Sequence, residues 1–286
     1  MKNTEENKKI WVEKIENILK MGGKSRITYD NYKSHIKRFL NSYSNETEFN
    51  HILEDEILEY IKKNYLDFNR CNDTINVAIC SIRFLYSTCF KIELNKKLLP
   101  NIKRIQSLPS IISKEDFITI FNHEKNLKHK CWLILAFCSG LRAEEVVKVR
   151  IENINALEHK IKVLGKGNKE RYTILPDVAI KYLRLYCKYN HITKKVGYLF
   201  EGTGGNPHNA RQYPTEFFGK IKQKYNLPKN ITFHSLRHSF ATYYLMNGGD
   251  LLTLQSMMGH NNLNTTRRYI HFSHDYNHLE GIRYAE

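Results

Sequence analysis

The sequence lacks the features of a membrane, secreted or metal-dependent protein. No run of about 18 apolar residues occurs, and the N-terminal stretch MKNTEENKKIWVEK has no apolar core like that of a signal peptide. The six cysteines form no Cys-x-x-Cys pair, so the usual spacing of zinc and redox sites is missing. We therefore expect a cytoplasmic protein with reduced cysteines, no membrane partner, no metal and no cofactor.

Acidic residues are also scarce relative to basic ones. The 286 residues include 45 Lys and Arg but only 29 Asp and Glu, for a formal charge of +16, and both halves of the chain are basic. Hydrophobic residues make up 41% of the chain, which indicates folded domains. The charge favours a polyanionic partner, and we expect double-stranded DNA. The alternative is a basic protein whose charges are simply solvated.

The first part of the chain predicts a small helical bundle. Four apolar stripes recur at helical spacing with short links between them. They are Ile10–Leu19, Tyr29–Leu40, Leu53–Ile61 and Ile75–Tyr86. Residues 91–109 lose this period and carry two prolines, which predicts a linker. We expect a helical domain over residues 1–106 and a second domain over residues 107–286.

The second part predicts helices around a small β-sheet, so that the whole protein is mainly α. Ser113 can cap a first helix, and a second apolar helix should end at Gly140. The segment KIKVLGKGNKERYTILP alternates as two strands around a Gly-Lys-Gly-Asn turn. The remainder returns to helical spacing, with Gly248 and Gly259 as C-terminal stops.

Arg142 follows the glycine that should end an apolar helix, in CSGLRAEEVVKVR. A guanidinium there can bind two phosphate oxygens at once, which a lysine cannot do. Glu145 lies three positions later on the same helical face and can orient Arg142 or the later His, or form an ordinary surface ion pair. An arginine after a helix end is otherwise an ordinary surface residue, so this motif is weak by itself.

Lys166 lies at the tip of the predicted hairpin, in GKGNKER. A lysine on such a turn can enter a DNA groove, contact a base edge or protonate a leaving oxygen. Lys169 and Arg171 follow on the same hairpin and are expected to bind DNA phosphates. A solvated turn is the ordinary alternative.

The segment FHSLRHSFAT predicts an anion clamp at a helix start. His234 and Arg237 lie three apart in the first turn, so their side chains project the same way, and the helix dipole adds partial positive charge. His238 is expected to face the interior or to support its neighbours, and is given no chemical role.

The segment MMGHNNLNTTRRYIHF supplies a last histidine and a candidate nucleophile. His260 follows a glycine stop, and Tyr269 comes nine positions later on a predicted short helix. A tyrosine hydroxyl can attack phosphorus and form a covalent phosphotyrosine, which needs neither ATP nor metal. Tyr276 is the second candidate.

Together these segments resemble the tyrosine recombinase (phage integrase) family, specifically its compact Xer-type members, from about Leu108 to His271. SGLRAEE is similar to the first arginine box of the family, GKGNKER to its lysine hairpin and HSLRHSFAT to its His-x-x-Arg box. The segments MGH and TTRRYIH are similar to its final histidine and nucleophile. Ala143 and Glu144 replace the commoner Ile-Ser, and Met258 replaces leucine.

The resemblance implies a two-domain clamp with a core-binding helical domain and a catalytic domain. It implies that Arg142 and Arg237 neutralise the nonbridging oxygens, that His260 hydrogen-bonds one of them, and that His234 accepts or relays the Tyr269 proton. Lys166 would protonate the departing 5′ oxygen. The products would be a 3′-phosphotyrosyl link and a 5′ hydroxyl, which attacks a partner duplex through a Holliday junction.

The resemblance also implies partners. We expect paired recombination sites in nucleoid DNA and a homo-tetramer, or a hetero-tetramer with a second recombinase, assembled through the tail at residues 273–286. The absence of an extra N-terminal DNA-binding arm favours dimer resolution over a large phage integrase, with a small mobile-element integrase left open. The alternatives are a type IB topoisomerase-like or hairpin-forming resolvase, and a catalytically silent DNA-binding protein.

Overall fold

In the computed structural model, residues 2–103, 109–165, 169–202, 210 and 212–270 are described. The chain divides into two compact units, Met1–Ser107 and Leu108–Glu286. The predicted boundary, between residues 106 and 107, lies next to this division. Within the described ranges, no helix is both long and apolar enough to cross a membrane.

Among its described residues the first unit has four α-helices, as the apolar stripes predicted, together with short 3-10 or π-helical turns at Phe49–His51, Lys62–Leu66 and Tyr86–Phe90. Thr4 and Ser25 cap the first two, each accepting a hydrogen bond from a backbone N–H three positions on. The apolar faces pack into one core, in which Trp11 is buried whereas neighbouring Ile10 is half exposed. The helices are α1 (Glu5–Met21), α2 (Arg26–Asn41), α3 (Glu54–Ile61) and α4 (Asn72–Leu85).

Part of the predicted linker belongs to this core. Leu94 and Leu99 are buried in the first unit, and the Asn76 side chain exchanges two hydrogen bonds with the backbone of Ile102. The helical period is therefore lost where the sequence indicated. Up to residue 103, however, the segment is an irregular loop that packs on the first unit rather than a free linker. Residues 104–108 lie outside the described residues.

The second unit places helices around a three-stranded antiparallel sheet. Ser113 Oγ accepts a hydrogen bond from the Asp116 N–H, as the predicted cap requires. The strands are in the order β1-β2-β3, and the short β1 was not predicted. The elements are α5 (Lys114–His123), α6 (Leu127–Ser139), α7 (Ala143–Val147), β1 (Ile154–Asn155), β2 (Lys160–Leu164), β3 (Glu170–Ile174), α8 (Asp177–Tyr189), α9 (Tyr213–Lys224), α10 (Phe233–Met246), α11 (Leu251–Met258) and α12 (Leu263–Arg267).

Gly140 and Gly259 end the helices that lead into the site. Both have a left-handed backbone, with φ of +68° and +61°. A Cβ on Gly140 would lie 2.4 Å from the Phe240 ring, so the glycine also allows α6 to approach α10 closely. These two ends bring the segments that follow them, with Arg142 and His260, towards the start of α10.

Candidate active site

A buried carboxylate joins the first arginine motif to two other segments. Glu145 on α7 is 5% exposed and accepts hydrogen bonds from the Arg142 backbone N–H, at 2.8 Å, and from Arg142 Nη1, at 2.9 Å. Arg237 Nη1 lies 3.7 Å from the same carboxylate. We call Arg142 and Arg237 the clamp arginines. The spacing had suggested that Glu145 orients Arg142, and the contact is present.

The Arg237 guanidinium is held on several sides. It is 1% exposed and donates to the backbone carbonyls of Gly140 and Met258, the last turns of the two helices that lead into the site. Its Nη2 lies 3.5 Å from Nε2 of His260. Arg237 and His260, which the sequence predicted as separate site residues, are thus brought together, and the helix ends fix the guanidinium plane.

Arg171 was expected to bind DNA phosphate, but its side chain points into the protein. Its side chain is 7% exposed, and its two terminal nitrogens each bind one oxygen of Glu145 at 2.7 Å. Its Nε donates to the Met257 carbonyl at 2.7 Å. The guanidinium is therefore occupied by the protein itself, since the inward face of β3 points it at α7 and α11.

The candidate nucleophile is buried and bonded to a histidine. Tyr269 lies just beyond α12, not on it, and is 2% exposed. Its hydroxyl lies 2.7 Å from Nδ1 of His238. His234, which was expected to take the Tyr269 proton, has its ring 4.7 Å from that of His238. The hydrogen bond between Tyr269 and His238 is thus the first contact that a proton relay from Tyr269 to His234 requires.

Burial and positive charge keep the site histidines neutral. Burial, then the charges of Arg237 and Arg142, lowers the pKa of His234 to about 4. Burial and neighbouring cations also lower the pKa of His238 and of His260 to about 3. The imidazoles are therefore neutral near neutral pH and have a free nitrogen for a proton or hydrogen bond, but such low pKa values make each of them a weak base.

The nucleophile itself is a phenol at neutral pH. Burial raises the pKa of Tyr269, although the charges of Arg237, Arg268 and Arg142 lower it in part. Attack on phosphorus therefore needs a base to take the proton. The same positive field stabilises the phenolate as the proton leaves.

A cleft of about 660 Å³ opens beside the clamp. Arg142, Lys169, Arg171 and His260 are among the residues that line it. Lys166 lies outside the described residues, as do Tyr276 and the tail at residues 273–286. Among the described residues, no group of histidine, cysteine and acidic side chains is arranged to hold a metal ion.

Sequence reasoning missed His238. A signal was present, because His238 follows His234 by four positions and both therefore lie on one face of α10. The FHSLRHSFAT motif nevertheless assigned the chemistry to His234 and Arg237 alone. The structure adds His238 as a residue in direct contact with the candidate nucleophile.

Replacing His238 by phenylalanine should slow cleavage without weakening DNA binding. The hydrogen bond to the Tyr269 hydroxyl is lost, and a neutral hydrogen bond contributes about 1 kcal/mol, so we expect a roughly five- to tenfold lower rate. Single-turnover cleavage at saturating DNA measures it, with His123→Phe on the exposed end of α5 as the control. Cleavage at the wild-type rate in His238→Phe would remove His238 from the mechanism.

The fold and the site define a phage integrase, and the chain belongs to that family. Residues 111–275 match the Phage integrase family, and residues 11–96 match its N-terminal SAM-like domain. The chain is 29% identical over 266 residues to tyrosine recombinase XerD of Staphylococcus aureus strain Mu50, covering 88% of this chain and 90% of the relative. It is 30% identical over 275 residues to tyrosine recombinase XerC of Rickettsia massiliae strain Mtu5, covering 90% and 88%.

Solved structures of recombinases share the fold. The XerH site-specific recombinase bound to a palindromic difH substrate, in a post-cleavage complex, gives a TM-score of 0.73 at 20% identity, over 94% of this chain and 83% of that one. Lambda integrase, solved as a tetramer bound to a Holliday junction, gives a TM-score of 0.73 at 16% identity, over 91% and 76%. The predicted fold class, mainly α with a small sheet, is confirmed.

Proposed function

We propose that this protein is a site-specific tyrosine recombinase that cuts and rejoins double-stranded DNA through a covalent 3′-phosphotyrosyl intermediate. Family membership and the similarity to the XerD and XerC recombinases support the class of reaction. The observation that carries the chemistry is the shared site: the clamp arginines meet at Glu145, and the Tyr269 hydroxyl, bonded to His238, lies in their field.

The steps follow from the groups present. The Tyr269 oxygen attacks the phosphorus, its proton passes to the neutral histidines, and the bond from phosphorus to the 5′ oxygen breaks. The clamp arginines take up the charge that grows on the nonbridging oxygens, and His260 donates to one of them. Lys166 is proposed to protonate the departing oxygen. The released 5′ hydroxyl then attacks a second phosphotyrosine, so the strands exchange without external energy.

The assembly and DNA grip are part of the proposal. We propose that the helical first unit and Lys169 bind DNA phosphates, and that four subunits act on two paired sites through a Holliday junction. The excess of basic residues in both halves of the chain supports DNA binding. We propose the tail at residues 273–286 as the contact between subunits, with a homo-tetramer or a hetero-tetramer with a second recombinase as the two forms, acting on DNA of the nucleoid.

The proposal predicts a covalent adduct at discrete DNA sites. The protein is incubated with genomic DNA from its source, stopped with detergent, and the protein-linked 3′ ends are sequenced. We expect adducts at a small number of sequences. A plasmid carrying two such sites should then be deleted or inverted between them, depending on their orientation.

Two controls separate the alternatives. A type IB topoisomerase-like enzyme would relax a supercoiled plasmid that carries no mapped site, and a hairpin-forming resolvase would seal the ends of one duplex. A silent DNA-binding protein would shift DNA in a gel without forming any adduct. Each of these results would overturn recombination as the function, whereas exchange only between paired sites supports it.

A further inference from the structure

Arg171 lines the cleft, but its guanidinium carries an unusually complete set of contacts to the protein itself. Its guanidinium forks onto both oxygens of Glu145, and its Nε binds the Met257 carbonyl. It thereby links three elements that are far apart in the chain: strand β3, helix α7 and the last turn of helix α11. A lysine lacks the planar fork that binds both carboxylate oxygens while a third nitrogen reaches the Met257 carbonyl.

The backbone around Arg171 is shaped to its side chain. Gly259 leaves no room for a side chain, because a Cβ there would lie 2.9 Å from Cδ of Arg171. The same glycine precedes His260, whose Nδ1 lies 2.9 Å from the Thr266 hydroxyl. The packing of Arg171 and the path of the chain into His260 are therefore fixed together.

We propose that Arg171 is a positioning residue for strand cleavage, which acts by holding the Glu145 carboxylate where that carboxylate orients the clamp arginines. The inference rests on the proposed function. It differs from the expectation of a phosphate contact, because the two terminal nitrogens that would fork onto phosphate are bound to both oxygens of Glu145.

Charge balance explains why the position needs a cation. Glu145 faces three guanidinium groups, two of which are the clamp arginines. Without Arg171, the buried carboxylate would lose the partner that does most to keep it ionised, and an un-ionised Glu145 would no longer hold the clamp arginines in place. When Glu145 is paired with Arg171 of β3, the carboxylate orients the clamp arginines while the Arg171 charge neutralises most of its own.

The ionisation of Glu145 makes the proposal testable through the pH dependence of the cleavage rate. Burial alone would raise the pKa of Glu145, but the hydrogen bonds and charge of Arg171, then the charges of Arg237 and Arg142, lower it to about 2. Removing Arg171 takes away the strongest of the lowering groups and leaves the burial. The pKa of Glu145 must then rise, so the carboxylate protonates as pH falls and releases the clamp. The Glu145 charge also acts on His234, which is present in every variant.

The experiment compares four proteins on a nicked duplex that carries a mapped site. They are wild type, Arg171→Gln, Glu145→Gln and the double variant, each assayed for single-turnover cleavage and for DNA affinity. Arg171→Gln should cleave about 10²-fold more slowly at saturating DNA, since a small misplacement of a clamp costs about that much, with affinity nearly unchanged. Lys162→Gln, which breaks an exposed ion pair with Glu170 on the other face of the hairpin, is the matched control.

Two further results test whether Arg171 acts through Glu145. The double variant should be no slower than the slower single variant by more than about threefold, because contacting residues in one network are not additive. In Arg171→Gln the cleavage rate should fall further between pH 8 and pH 5 than in wild type, and this extra loss should vanish in the double variant. Arg171→Lys, which keeps the charge but not the fork, should recover part of the rate.

Other outcomes overturn the inference. Arg171→Gln that keeps the saturated rate but binds DNA weakly would make Arg171 a DNA contact. Rate losses that multiply in the double variant, or a pH profile like that of wild type, would make it a structural residue with no path through Glu145. Absence of cleavage by the wild-type protein on any DNA would instead overturn the proposed function, so the two failures are distinct.

Discussion

Tyr269→Phe is expected to form no covalent adduct with DNA while still binding it. The substitution removes only the oxygen that attacks phosphorus, and losing the nucleophile of a covalent mechanism costs on the order of 10⁶ in rate. The ring stays in its pocket against Phe240, Leu254 and Met258, so the fold should persist. Loss of the 2.7 Å bond to His238 should reduce the free energy of unfolding by about 1 kcal/mol.

The measurement pairs a denaturing gel for the adduct with a native gel for binding, on DNA carrying a mapped site. Tyr244→Phe is the matched control, because Tyr244 packs against the same cluster of apolar residues and has no role in the mechanism. An adduct trapped in Tyr269→Phe would move the nucleophile elsewhere, with Tyr276 the next residue to test. A loss of DNA binding would show that the hydroxyl supports the fold instead.

Much of the fold could be predicted because the local signals agree with the packing. The four apolar stripes of the first unit, the Ser113 cap and the Gly140 stop each have a local cause, and each is present in the structure. The packing of residues 91–103 could not be predicted, since it depends on which side chains of α4 lie opposite. The Asn76 side chain, which binds the Ile102 backbone, gives no such signal in the sequence.

Arg171 and His238 have contacts that the sequence did not predict, and the two share a physical reason. On β3 the inward residues are Arg171 and Thr173, whereas Tyr172 is more than half exposed, so the polar and apolar faces are reversed from the usual pattern. Only the buried carboxylate of Glu145, brought from another element, makes the inward arginine stable. The contact of His238 likewise depends on a distant segment, because Tyr269 reaches α10 from just beyond α12.

Replacing Arg237 by lysine should lower both the stability of the protein and its cleavage rate, whereas the same replacement of Arg142 should lower mainly the cleavage rate. The variant keeps the charge but replaces the two nitrogens that bind the Gly140 and Met258 carbonyls by a single one on a shorter side chain. We expect at least one of these buried carbonyls to lose its partner, and a buried unsatisfied polar group costs about 1–3 kcal/mol. Loss of one donor from a preorganised clamp lowers the cleavage rate by ~10²–10³. We expect both losses in Arg237→Lys, seen by urea denaturation and by single-turnover cleavage.

Arg142→Lys separates these two effects. The Arg142 side chain is 33% exposed and binds only Glu145 among the described groups, so its removal should cost less than about 1 kcal/mol of stability. Its rate should still fall by ~10²–10³, because both variants lose the forked grip on the nonbridging oxygens. Equal destabilisation of the two variants would mean that Arg237 does not hold the helix ends. A wild-type rate in either would mean that its guanidinium never reaches the phosphate, and that the meeting of both arginines at Glu145 serves the fold alone.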